Sequence, residues 1–147
     1  MALTKKQKKS KRIREMDSPF AGLLGEELVA NGTFATDPAV EWTVGSGWSW
    51  NEAKDTIDTD GTIGAISQTV VITEGSSYLL SFDVIGVNDG SKNFIVVLGG
   101  IEYTIGPKNG LHSSAIKAGA TTLFEISVDS TDAYIGSLDN VSLKKIG

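Results

Sequence analysis

The feature that most constrains this chain is its punctuation. From Leu28 onward, short apolar runs are broken by clusters of Gly, Asn, Asp, Pro and Ser. Runs this short make poor helices. Where their apolar residues fall on every second position, they suit strands with one buried face. In residues 65–72, Ile66, Val70 and Ile72 share one side, with Gln68 among them. Residues 78–87 form the longest run and place Tyr78, Leu80, Phe82 and Val84 inward. Residues 121–129 do the same with Phe124, Ile126 and Val128. Residues 94–98 and 102–105, joined through Gly99-Gly100, read as a hairpin. Shorter or weaker strands are predicted over 42–44, 47–53 and 111–118, and a closing strand over 134–146. Turns are predicted at 58–64, 74–76, 88–91, 107–110 and 130–132. With about nine or ten strands after residue 27 and no amphipathic helical period, the body is predicted to be all-β, an antiparallel β-sandwich or jelly roll.

Within that frame the closing segment, Gly136-Ser137-Leu138-Asp139-Asn140-Val141-Ser142-Leu143, poses a question. Strict alternation puts Asp139 on the face of Val141 and Leu143, which want a core. A carboxylate there is costly unless backbone N–H groups, a hydroxyl or a cation satisfies it. The segment has a counterpart near the start, Leu28-Val29-Ala30-Asn31-Gly32-Thr33-Phe34, where Asn-Gly marks a sharp turn.

Charge divides the chain. Residues 5–14 hold Lys5, Lys6, Lys8, Lys9, Lys11, Arg12 and Arg14 and no acid, so this arm carries +7. The remainder carries −12, and the net charge is −5. Like charges this dense repel, so the arm is expected to be disordered alone and to order only against a partner. Residues 20–27, FAGLLGEE, read as an apolar latch, helical or extended, with Leu23 and Leu24 as its anchors. The predicted organisation is therefore an arm and latch over 1–27 and a β-sandwich over 28–147. The chain has no cysteine, so the fold uses no disulfide and no thiolate metal site. No apolar run approaches the ~20 residues of a membrane helix. The basic N-terminus lacks the apolar region of a secretory signal.

Three motifs in order, ELVANGTF followed by W and GSGWSW, then ISQTVVITEGSSYLLSFDV, then SLDNVSL, resemble the carbohydrate-binding-module-like jelly-roll domain, a galactose-binding-like sandwich. The resemblance covers roughly residues 27–146. It implies a domain that serves as a binding module in polysaccharide-degrading enzymes and as a structural or adhesive unit in bacteriophage virion proteins. It also implies a structural calcium between the first and last strands, for which Asp139 matches the closing aspartate. The acid expected after Phe34 is replaced by Ala35, which weakens such a site.

The chemistry-bearing residues point away from catalysis. One histidine, His112, and scattered carboxylates supply no nucleophile paired with a base. Asp58-Thr59-Asp60-Gly61 resembles the start of a calcium loop but lacks its closing Glu, so it reads as a turn. Sugar binding needs exposed rings. Trp42 and Trp48 match packed positions of the resembling family, which leaves Trp50 and Tyr103 as the candidate platform. The arm lacks interleaved aromatics for base stacking, so nucleic acid would be met only through its phosphates.

The expectation is a non-enzymatic virion structural protein, assembled in the host cytoplasm: a capsid decoration (cement) protein held by its arm to the major capsid protein or other virion subunits. Analogy with virion proteins implies a homo-oligomer, a trimer. The alternatives are a tail or baseplate protein that contacts a host glycan, and a free-standing carbohydrate-binding module.

Overall fold

A computed structural model describes residues 23–86, 93–105, 109–128 and 136–147. Within them the strands are β1 (Leu24–Glu27), β2 (Thr43–Val44), β3 (Trp48–Asn51), β4 (Thr56–Thr59), β5 (Ala65–Thr69), β6 (Ser77–Ile85), β7 (Phe94–Leu98), β8 (Ile101–Ile105), β9 (Gly110–Lys117), β10 (Leu123–Val128) and β11 (Gly136–Ile146). One sheet runs β3-β4-β11-β6-β9, with β1 added beside β11. The other runs β2-β5-β10-β7-β8. Every pairing is antiparallel. The fold is the predicted sandwich.

The inward residues read from alternation fill the space between the sheets. Tyr78, Leu80, Phe82 and Val84 of β6 and Phe124, Ile126 and Val128 of β10 are buried, as are Ile66 of β5 and Phe94, Val96 and Leu98 of β7. Phe82 meets Phe94 edge-on, with ring centroids 6.3 Å apart, a favoured geometry for paired rings. Phe94–Leu98 and Ile101–Ile105 form the expected hairpin across Gly99-Gly100.

Three expectations change. The turn predicted from Asp58 begins later, because Thr56–Thr59 is strand β4, paired with β3 and β11. Its alternation is hidden in sequence by the polar Thr56 and Thr59, both buried. The latch is part of the sheet: Leu24 lies opposite Ile146 and Glu27 opposite Lys144. The sheet thus starts four residues before Leu28, while Leu23 stays exposed. The alternation in β11 is broken as well. Asp139 pairs with Asp83 and Ser142 with Ser81, so Asn140 and Val141 stand together opposite Phe82. Asn140 takes φ 50°, a bulge geometry. Leu138, not Asp139, therefore joins Val141 and Leu143 in the core. The basic residues from Lys5 to Arg14 lie outside the described residues, as do the turns predicted at 88–91 and 130–132.

Candidate functional site

Residues 27–32 meet residues 141–143 along one side of β11, in the gap between β4 and β1. The Leu28 amide donates to the Leu143 carbonyl at 2.9 Å, and the Val141 amide to the Gly32 carbonyl at 2.8 Å. The Glu27 carboxylate accepts the Leu143 amide at 2.7 Å and the Val29 amide at 3.2 Å. Asp139 is buried, and its Oδ1 accepts the Asn140 amide at 2.7 Å. It thus caps its own bulge. Gly32 is fixed by approach: a Cβ there would lie 2.0 Å from the Val141 carbonyl oxygen.

The 31–34 turn is held from the other side by indoles. Asn31 and Phe34 both take φ 51°. Trp42 Nε1 donates to the Asn31 carbonyl at 3.2 Å, and Trp50 Nε1 to the Phe34 carbonyl at 2.9 Å. Gln68 completes the closure from the second sheet. Its Oε1 accepts the Ala30 amide at 2.9 Å and its Nε2 donates to the Ala30 carbonyl at 3.0 Å. This amide bonds Ala30 as a neighbouring strand would. It explains a polar residue in an otherwise apolar row.

These bonds bear on the calcium that the resemblance implies. The Asn31, Gly32 and Phe34 carbonyls already accept N–H donors. Glu27 and Asp139 both cap amides, and residue 35 is Ala. Among the described residues there is no group of three or more His, Cys, Asp or Glu that could hold a metal. A calcium wants six to eight oxygens, and the carboxylates at this turn are Glu27 and Asp139, each with an oxygen already on an amide. The turn is closed by N–H groups instead.

The two candidate platform rings are not brought together. Trp50 packs against the core from β3, the end strand of its sheet, and its N–H is committed to Phe34. Tyr103 sits on β8 and packs against the core. Its hydroxyl accepts the Lys117 amide at 2.9 Å and donates to the Lys117 carbonyl at 2.8 Å. Lys117 ends β9, the far end strand of Trp50's sheet. Trp42, Trp48, Tyr78, Phe34, Phe82, Phe94 and Phe124 are all buried. Among the described residues every tryptophan, tyrosine and phenylalanine is thus core or packed on it.

Across β3, β4 and β11 one carboxylate organises a polar group on the outward side of the first sheet. Asp58 accepts from Asn51 Nδ2 at 3.1 Å, Thr56 Oγ1 at 2.7 Å and Ser137 Oγ at 2.7 Å, so it joins β3, β4 and β11. Next to it, Asn140 Nδ2 donates to Asp83 Oδ2 at 2.7 Å. Sequence reasoning missed this row because its members look like ordinary solvated strand positions. The one signal available was Ile57, an apolar residue set among polar ones directly after the 47–53 strand. The Asp60 and His112 side chains are perturbed. Hydrogen bonds from the Thr62 side chain and amide hold the Asp60 carboxyl below its usual range. Burial pushes the His112 imidazole down, where it stacks on Phe82 at 5.1 Å.

No family model and no curated protein matches this chain. Solved structures share its fold at low identity. A family 16 carbohydrate-binding module is 14% identical with a TM-score of 0.56, over 79% of this chain and 98% of that one. A xylan-binding module, CBM22-1 of Paenibacillus barcinonensis Xyn10C, is 15% identical with a TM-score of 0.52, over 83% of this chain and 96% of that one. The enzymatically active domain of tailspike protein 4 of bacteriophage CBA120 is 16% identical with a TM-score of 0.53. That similarity spans 82% of this chain and 21% of the tailspike chain. The chain therefore has the jelly-roll fold of carbohydrate-binding modules, as its motifs implied.

Proposed function

We propose that this protein is a non-catalytic structural component of a bacteriophage virion, a capsid decoration protein whose sandwich is held to the shell by its basic arm. The observation that carries this reading is the commitment of the rings. Trp50 and Tyr103 bond the protein's own backbone, so the body is built to keep its shape rather than to offer stacking surfaces. The +7 arm on a −12 body then supplies the attachment. The fold shared with a tailspike domain supports a virion setting. Each arm makes weak, screened contacts, and repetition over a shell multiplies them. Co-sedimentation with undecorated capsids tests this. Full-length protein should pellet and protein lacking residues 1–19 should stay largely in solution. Equal pelleting would reject the arm as the anchor.

A second reading, contact with a host glycan, is favoured by the outward row around Asp58. Planar amide and carboxylate groups of Asn51, Asp58, Asp83 and Asn140 on one sheet are the hydrogen-bonding chemistry sugars meet. Saturable binding on a glycan array, lost in Asp58→Ala with the fold intact, would move the assignment to this reading.

A further inference from the structure

Among the described residues the four end strands of the two sheets are not equally protected. β2 has two residues and β3 four. β8 has five and carries Glu102, exposed, pointing its backbone away from β7. The odd positions of β8 bond β7, because Leu98 and Ile101 flank a two-residue turn. β9 differs. It pairs with β6 over eight consecutive positions, Ser77↔Lys117 to Val84↔Gly110, without a bulge. Between Gly110 and Ile116 it has no charged residue and no proline. Native sheets blunt long edges with charge, proline or bulges, and this edge uses none of them before Lys117.

The direction of its backbone groups follows from two bonds. The Ala118 amide donates to Ser76, so the positions in step with it bond β6. The Lys117 amide and carbonyl instead bond Tyr103 Oη on the other side. Leu111, Ser113 and Ala115 are in step with Lys117 and turn their N–H and C=O groups to the free edge. Among the described residues nothing pairs with them. Tyr103 closes the edge at Lys117, which leaves 111–115 as the open stretch.

We propose that this stretch pairs with the same stretch of a second copy, antiparallel, about a twofold axis at Ser113. This does not rest on the virion reading. The register is self-complementary. Ser113 exchanges N–H and C=O with Ser113 of the other copy, and Leu111 does so with Ala115 in both directions. No like charges are brought opposite one another, although each body is strongly acidic. The exposed Leu111 also gains an apolar neighbour, since Ala115 lies beside the buried Leu79. A twofold contact closes at two copies, in place of the trimer implied by analogy. The contact is small beside the roughly 800 Å² per partner of a standard interface. Association is therefore weak, and is strengthened wherever copies are held close together.

Sedimentation equilibrium of the full chain, carried to millimolar concentration, tests it. The mass should rise from monomer towards dimer. Ser113→Pro, which removes an outward N–H, and Ala115→Lys, which adds like charge near the axis, should each weaken association at least tenfold with unchanged far-UV circular dichroism. Hydrogen exchange should slow on dimerisation at the amides of 111, 113 and 115, with no matching change at 112 and 114. A monomer at every concentration, a trimer, or a dimer that Ala115→Lys leaves equally tight would overturn the proposal.

Discussion

The two long sides of the sandwich are closed by the same device carried to different lengths. On the side of β3, an aromatic polar atom, Trp50 Nε1, bonds a backbone carbonyl, and the whole 28–34 segment follows it into place. On the side of β9, Tyr103 Oη bonds the backbone of Lys117, and the closure stops there. In the first case Trp42, Gln68 and Gly32 continue what Trp50 begins. In the second no described residue continues it. A side chain tied to one backbone position can therefore either start a seal or only end an edge. What decides is whether a further segment of chain is available to lie alongside.

The sealed side should be far more sensitive to substitution, beginning with Gly32→Val. With a Cβ placed at 2.0 Å from the Val141 carbonyl oxygen, the turn must leave β11, at a cost of about 4 kcal/mol or outright misfolding. A urea midpoint equal to wild type would mean the turn is not seated there. Gln68→Leu comes next. It leaves the Ala30 amide and carbonyl without their partner and should cost about 2–3 kcal/mol by the same measurement. A paired test compares the sides directly. Trp50→Phe loses a bond in the seal and should cost about 1–2 kcal/mol, whereas Tyr103→Phe should cost about 0.5–1 kcal/mol. Equal costs would break the distinction between the two sides.

The smallest effect belongs to His112 on the open side. Its imidazole is harder to protonate in the folded chain than in the unfolded one, because burial disfavours the charged form. As pH falls below the ordinary value of 6.5, the unfolded state takes up the proton first, so stability drops until the folded group also titrates. Melting temperatures measured between pH 8 and pH 5 should fall less in His112→Gln than in wild type. Parallel curves would assign the pH dependence to other groups.

Much of this was legible in the sequence, for physical reasons that also mark where it stops. Period-2 alternation located β5, β6 and β10 with their inward residues. The Leu28–Phe34 segment, the counterpart of the closing strand in sequence, is its hydrogen-bonded neighbour. Gln68 stood out as a polar residue in an apolar row, though its partner Ala30, 38 residues away, could not be named. The bulge at Asn140 was hidden because alternation assumes an even count of residues on both strands. The roles of Trp50 and Tyr103 were hidden too. Each depends on a carbonyl or amide at a sequence separation of 16 or 14, and backbone groups carry no sequence signal of their own. The Asp58 row failed to register because Ser137, one of its donors, is 79 residues away.

The bond from the Leu143 amide to the Glu27 carboxylate spans 116 positions, and it sets a timetable for biosynthesis. The first strand has no place to lie until the last has been translated. Until then Leu24–Glu27 lacks its neighbouring strand, because a pairing this distant cannot form earlier. Seating of Leu24–Glu27 thus waits for β11. A chain cut before Gly136 should therefore be open to proteases at Leu24–Glu27, the strand that β11 would have covered.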